Sequence, residues 1–394
     1  MLREKLRIKN NEIKMFDTFD EDDAVLIQES STEFYIPKQI VNITPPPKIP
    51  AFYNSLAKFK RDILISIING SASLLDLKIK FADVMCGVGV TGLRIANESP
   101  NVDTIIFNDL NPVALKLTEN SILKNNIKKK YQISKDDANH FLSQHSLKEK
   151  RFNFIDIDPF GTPVPYLDSS IRALNINGII SITATDGAVL CGVYPKVALR
   201  KYGSRSLHTE YSKEIGVRIL FGSLASAAAR YNLGIDPVFC HVDKHYLRVY
   251  ARLISHFSTF DQFMGYVFHC LNCGFRSCID QINTICNICS SNGLIAGPLW
   301  VGPIFNKETI SQTLKQDIST NVSNLLTLSL DEISLPPTYY ETDNLSKILN
   351  ISSFAVSDII DRLISNGFTS SRTIFSSKGF RTNATFSEIK KILS

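Results

Sequence analysis

Residues 154–161 read FIDIDPFG. An apolar, β-branched run ends in Asp158, Pro159, Phe160 and Gly161, the pattern of a buried strand breaking into a loop at its carboxyl end. In open α/β sheets, ligands bind at such ends. Asp158 can accept a hydrogen bond from an exocyclic amine, the Pro159 carbonyl can accept a second, and Phe160 can stack on a ring face. Together these groups fit an amino group on a nucleobase. The same tetrapeptide also makes an ordinary strand cap, because Asp-Pro and Phe-Gly are common turn residues. The stretches upstream decide between the two.

Residues 80–92, KFADVMCGVGVTG, carry a strand into Gly87-Val88-Gly89 and then into amphipathic-helix spacing. Asp83 opens this turn, and Thr91 lies where the helix begins. Any tight strand-to-helix turn wants glycine, so the turn alone does not identify a ligand. A second strand ends near Phe107 and runs into Asn108-Asp109, with a new helix from Pro112. A carboxylate at Asp109 would accept hydrogen bonds from ribose hydroxyls. YQIS at 131–134 reads as a third strand, followed by Asp136, Asp137 and Ala138, where an adenine edge could be met; a helix N-cap is the plain alternative. FIDIDPFG is then the fourth strand of a βαβ series. An NAD enzyme would need a separate substrate domain for hydride transfer. An enzyme using S-adenosylmethionine puts its acceptor at the fourth strand end, so methyl transfer is the favoured chemistry.

Ahead of this unit, residues 1–50 read as an N-terminal appendage: an acidic stretch at 19–23, the alternating STEFYIPK at 31–38, and a proline run at 45–47. A helix is expected after Asn54, ending near Gly70, with Phe52 and Tyr53 in the loop before it. Arg61, inside that apolar helix, calls for an anionic partner, either a carboxylate or a phosphate.

The chain has 394 residues, 44% hydrophobic and 21% charged, which suits a soluble protein of two domains with room for a small third. Its net charge of +5 is compatible with nucleic acid without requiring it. The first sixteen residues lack an apolar signal core, and no apolar run reaches membrane-spanning length, so a cytoplasmic location without membrane contact is expected. No obligate protein partner is indicated.

Between residues 193 and 230, Lys196, Arg200, Lys201, Arg205, Lys213 and Arg218 interleave with Tyr194, Tyr202 and Tyr211, a composition suited to phosphate contact and base stacking or to a solvated helix face. After a composition shift near residue 258, Cys270 and Cys273 form one C-x-x-C, and Cys286 and Cys289 form another. Two such knuckles resemble a zinc ribbon, in which four thiolates close a structural tetrahedral shell. His269 and Cys278 lack knuckle spacing. Residues 338–394 give the order helix, turn, longer helix, strand and hairpin expected of a winged helix, with Lys378 and Arg381 near the hairpin. That tail opens a rival reading, a non-catalytic zinc-ribbon and winged-helix nucleic-acid binder.

The ordered motifs VMCGVGVTGLR, FNDLNP, KDDAN and IDIDPFGTPVPYLD, with AFYNSLAKFKRD before them and GPLWVGPI and SRTIFSSKGFRTNA after, resemble the tRNA (guanine26-N2)-dimethyltransferases of archaea and eukaryotes. The likeness covers most of the chain from about Ala51 onward. It implies a Rossmann-like class I methyltransferase domain at 51–258 and a smaller α+β C-terminal domain at 259–394. It also implies transfer of one or two methyl groups from S-adenosylmethionine to guanine N2 of tRNA. Other exocyclic amines, adenine N6 or a ribosomal RNA guanine, fit the tetrapeptide equally well on chemistry alone. By the resemblance, Arg61, Asp109, Asp137 and Ala138 fall on cofactor-contacting positions, to which the glycine turn adds Asp83, Gly87 and Thr91, and Asp158 and Phe160, with Pro159 between them, fall on the catalytic tetrapeptide. Phe52 matches an aromatic that helps to hold the target base. Thr91 stands where the family often has an arginine, so Arg94 or Arg61 would have to supply the missing charge.

Overall fold

The computed structural model describes residues 23–41, 43, 51–75 and 78–393. The charged first sixteen residues, most of the acidic stretch and the proline run at 45–47 lie outside them. Ala24–Glu29 (β1) and Thr32–Pro37 (β2) pair antiparallel around Ser30, which adopts a φ of +54°. Phe34 and Ile36 point inward and are buried. The hairpin is anchored to the helix Pro112–Lys124: Tyr35 N–H donates to Ser121 Oγ at 2.9 Å, and Glu33 N–H donates to Asn125 Oδ1, just past the helix, at 3.1 Å.

Ile79–Asp83 (β3), Val102–Asn108 (β4), Lys130–Ser134 (β5) and Phe152–Ile157 (β6) are parallel, with Phe81 beside both Ile105 and Phe154, and Ile105 beside Tyr131. Successive residues Phe81-Ala82, Ile105-Ile106 and Phe154-Ile155 are all buried, so both faces of these strands are covered. Continuous β-branched runs instead of alternation are the signature of that environment. Cover on the two faces comes from the helices Lys58–Leu75, Val90–Glu98, Pro112–Lys124 and Ala138–Gln144. The first of these runs past the expected stop at Gly70, because an interior glycine costs only about 1 kcal/mol and Ala72 beyond it is buried.

Leu174–Ala184 (β7), Gly234–Asp243 (β8) and Tyr246–Ile254 (β9) are joined antiparallel, Ser181 opposite Tyr250 and Cys240 opposite Val249. The seven strands form one mixed sheet in the order β5-β4-β3-β6-β7-β9-β8. By compactness the chain divides into two units. The first holds the described residues up to 157 together with 172–175, and the second holds 158–171 and 176 onward.

Within the second unit, Met264–His269 (β10), Arg276–Ile279 (β11) and Leu294–Trp300 (β12) make a small sheet in the order β11-β10-β12. Tyr340–Glu341 (β13), Ser370–Thr373 (β14) and Ser376–Thr382 (β15) make another, ordered β13-β15-β14. It shares a core of Leu345, Ile359, Leu363, Phe380 and Ile389 with the helices Thr342–Leu349, Val356–Ser365 and Phe386–Leu393. None of the described helices is long and apolar enough to cross a membrane.

Candidate active site and cysteine centre

At the carboxyl end of β3 the chain turns through Gly87 and Gly89, whose φ values are +54° and +75°. Gly87 N–H donates to Asp109 Oδ2 at 2.8 Å, and the other oxygen of Asp109 accepts from Asn111 N–H at 2.9 Å. A side chain on Gly87 would meet the Phe52 carbonyl at 2.9 Å, so the loop carrying Phe52 lies directly against the turn. Asp83 is buried and accepts from Gly92 N–H at 3.0 Å, fixing the start of the helix Val90–Glu98, on whose first turn Thr91 sits half-buried. Asn108, which composition does not single out, is the stitch between strand ends. Its amide donates to the Val84 carbonyl at 3.0 Å and the Asp136 carbonyl at 3.1 Å.

Beyond β5, Asp137 caps the helix Ala138–Gln144, accepting from Asn139 N–H at 2.9 Å and His140 N–H at 3.2 Å, while Ala138 is buried at its first position. Asp136 is bound to His140 Nδ1 at 2.7 Å. Phe52, Asp83, Gly87, Thr91, Asp109, Asp137 and Ala138 thus all lie at the carboxyl ends of β3, β4 and β5 or on the segments touching them.

Arg61 finds a carboxylate, and it comes from the hairpin. Its Nε donates to Glu29 Oε1 at 2.8 Å and its Nη2 to Glu29 Oε2 at 2.6 Å. Arg94 is more heavily engaged: Nη1 bonds Glu29 at 2.8 Å and pairs with Asp62 at 2.7 Å, while Nε and Nη2 take both oxygens of Glu98 at 2.9 and 2.8 Å. All three nitrogens of Arg94 therefore face carboxylates of its own chain. Burial would raise the Glu29 carboxyl, but hydrogen bonds and charge from Arg61 and then Arg94 outweigh it and hold the group below its ordinary value. Tyr53, next to Phe52, also donates to Glu29 at 3.3 Å. Nothing in the charged, alternating hairpin sequence marks Glu29 as the hub of this cluster.

In the second unit, Asp158, Pro159, Phe160 and Gly161 follow β6 directly. Pro159 is buried, Asp158 half-buried, and Phe160, in the loop beyond the strand, is 54% exposed. Gly161, at φ +86°, is held by Thr185 just past β7. Gly161 N–H donates to Thr185 Oγ1 at 2.6 Å, and Thr185 N–H donates to the Gly161 carbonyl at 2.9 Å. Thr185 follows the buried strand β7 directly, and a hydroxyl in that place is the one sign of it that the sequence carries.

The basic stretch separates into two populations. Lys196, Arg200, Lys201, Arg205, Lys213 and Tyr194 are exposed. Arg218, Tyr202 and Tyr211 are not, and expecting them on an outer face needs correction. Arg218 is paired with Glu214 at 2.8 Å and donates to the carbonyls of Trp300 and Gly302; Tyr202 donates to Asp186 at 2.5 Å, and Tyr211 is bound to His269 at 2.8 Å. Arg381 is likewise buried, held by Glu214 and Glu332, whereas Lys378 is exposed and pairs with Asp343 at 2.6 Å. Composition cannot separate them: Arg381 meets Glu214 across 167 residues, and the i,i+4 pair of Glu214 with Arg218 has the same spacing as one on an exposed helix face.

The thiols of Cys270, Cys273, Cys286 and Cys289 lie within 4.8 Å of one another. Each pair closes the same tight turn: Gly274 N–H donates to the Cys270 carbonyl at 3.0 Å and Ser290 N–H to the Cys286 carbonyl at 2.9 Å. Four converging sulfurs of this kind suit a tetrahedral soft-ligand ion. His269 is occupied by Tyr211, and Cys278 is exposed outside the cluster.

Comparison with known proteins agrees along the chain. A family model described as N2,N2-dimethylguanosine tRNA methyltransferase matches residues 30–394. The tRNA (guanine(26)-N(2))-dimethyltransferase of Methanosarcina acetivorans is 34% identical over 388 residues, covering 93% of this chain and 97% of its own. That of Methanothermobacter thermautotrophicus is 35% identical over 360 residues, covering 88% and 93%. Among solved structures, the complex of Trm1 from Pyrococcus horikoshii with S-adenosyl-L-methionine matches with a TM-score of 0.82 at 29% identity, covering 94% of this chain and all of that one.

Proposed function

The chain belongs to the N2,N2-dimethylguanosine tRNA methyltransferase family, and we propose that its strand-end residues move methyl groups from S-adenosylmethionine to the exocyclic N2 of guanine 26 in tRNA. The observation that carries this is the family match across residues 30–394, which includes both the glycine turn and the tetrapeptide. The non-catalytic binder and the other amine targets, open on the residues alone, give way to it.

S-adenosylmethionine, when bound, supplies a methyl group made electrophilic by a sulfonium. On the cofactor side, each oxygen of Asp109 already accepts one backbone N–H and keeps a second lone pair for a ribose hydroxyl. Gly87 lets the Phe52 loop close on the turn, and Asp83 fixes the helix start, where Thr91 sits, against which the cofactor would lie. Asp137 and Ala138 hold the start of a short helix against which the adenine would lie, Asp137 itself capping the Asn139 and His140 N–H groups. Arg61 is assigned to the cofactor side through the position Glu29 gives it.

On the acceptor side, Asp158 and the Pro159 carbonyl accept from the guanine amine, turning its lone pair out of conjugation with the ring. Asp158 is also placed to take the released proton, although an amine made cationic loses it without a strong base. A guanine at a stem junction must leave its stack to be reached. Stacking is assigned to Phe160, with Phe52 as the second aromatic, and returns roughly 1–3 kcal/mol per base.

Residues 51–258 are assigned to methyl transfer, 1–50 to an appendage, and 259–394 to a zinc-ribbon and winged-helix module. The four cysteines would hold zinc structurally, since four sulfurs leave no open position. A reducing cytoplasm, where such thiols persist, is the compartment this implies. The test is incubation with labelled S-adenosylmethionine and unmodified tRNA transcripts, followed by nucleoside analysis. N2-methyl and N2,N2-dimethylguanosine at position 26 are expected. Asp158→Ala abolishes the product while cofactor affinity stays within about threefold, and loss of both together removes the role given to Asp158.

A further inference from the structure

Gly161, which closes the tetrapeptide, is gripped by Thr185, whose function has not been assigned, and the residue after Thr185 is bonded to a basic helix. Thr185 exchanges two hydrogen bonds with the Gly161 backbone, at 2.6 and 2.9 Å. The next residue, Asp186, accepts from the Tyr202 hydroxyl at 2.5 Å and from Lys201 Nζ at 3.0 Å. Tyr202 and Lys201 end the helix Pro195–Tyr202, on which Lys196 and Arg200 are exposed with Tyr194 at its cap.

We propose that Thr185, Asp186 and Tyr202 are positioning residues that set the Asp158–Gly161 loop and tie it to a basic, RNA-facing helix. This rests on the reading of that loop as the amine acceptor. The amine's two hydrogens must be met at the moment of transfer, so the loop's backbone has to be held to a fraction of an ångström. Pro159 restricts one side of the loop, but Gly161 is free to swing, and at φ +86° it sits where only glycine is at ease. Thr185 removes that freedom through both the donor and the acceptor of Gly161. Asp186, the next residue, carries the restraint to the helix end through Tyr202, and neutralises Lys201 there instead of leaving it to phosphate. Phosphates bound along Lys196 and Arg200 would therefore dock against an element already bonded to the catalytic loop.

Thr185 is exposed, so Thr185→Val removes the hydroxyl acceptor without disturbing a core. The expected result is a fall in kcat of about tenfold or more, with the KM for S-adenosylmethionine within about twofold of wild type. Thr185→Ser, which keeps the hydroxyl, returns kcat to within about threefold, and Tyr202→Phe lowers kcat in the same manner as Thr185→Val. The proposal is overturned if Thr185→Val and Tyr202→Phe keep the wild-type kcat while melting earlier, or if their loss falls wholly on the cofactor KM. Failure of the underlying reading looks different: the wild-type protein itself would leave tRNA guanine unmethylated.

Discussion

Arg381→Met should cost the protein stability and leave its contact with RNA alone. Arg381 lies on β15 with 2% of its surface exposed. Its Nη1 donates to Glu214 at 3.0 Å and to the carbonyls of Pro336 and Thr338 at 3.0 and 3.2 Å; Nη2 pairs with the other Glu214 oxygen at 2.9 Å, and Nε bonds Glu332. Both carboxylates are fully buried, and Arg218 is the other guanidinium in contact with Glu214. Methionine fills much of the volume but leaves Glu332 and Glu214 short of positive charge. Removing one partner of such a buried pair costs about 3–5 kcal/mol. At roughly 2–4 °C per kcal/mol for a unit of this size, the thermal midpoint should fall by about 6–20 °C. Circular dichroism melting reads the first quantity. Filter binding of tRNA over a salt series, at a temperature where the variant is folded, reads the second. An unchanged midpoint with a salt slope smaller by about one would mean that Arg381 reaches a phosphate, and the buried network would be refuted.

Glu29→Gln tests the hairpin cluster through pH. A carboxyl held below its unfolded value of about 4.3 contributes stability that is present above that pH and is lost as pH falls through the folded value. The stability gap between wild type and Glu29→Gln in urea should therefore shrink on going from about pH 7 to about pH 3; a gap independent of pH refutes the pairing with Arg61 and Arg94. For the cysteine centre, the purified chain should carry about one zinc ion by atomic emission, and Cys286→Ser should lose it. Equal metal content in the two proteins would sink that assignment.

The sheet was legible because burial on both faces writes itself into sequence. Runs such as FIDI and TIIF do not alternate apolar with polar, and each reaches an aspartate, Asp158 or Asp109, within two residues of its end. Helix ends were less so. The expected stop at Gly70 was overrun because one glycine is a weak breaker when the residues beyond it still find a core. The cysteine centre was readable for a different reason: the geometry of two knuckles is local, fixed by turns closed within each C-x-x-C, and only the convergence of the pairs depends on the fold.

What could not be read is which charges face inward, and the site depends on it. Arg61 was expected to meet a carboxylate or a phosphate, and the sequence does not say that its partner, shared with Arg94, is Glu29, 32 and 65 residues earlier in the chain. Arg218 and Arg381 share Glu214 across separations of 4 and 167 residues. A lysine or arginine in a helix has the same letters whether it meets water, phosphate or a distant carboxylate, and only the third partner distinguishes them. The same blindness hid Thr185, Asp186 and Tyr202, because their bonds join segments 15 to 24 residues apart that no periodicity connects. Acidic strand ends are where the sequence places the proposed chemistry. The residues that hold those ends still are polar side chains reaching across loops, and their identity follows from the fold, so a search for catalytic supports in this family must start from contacts to the tetrapeptide backbone.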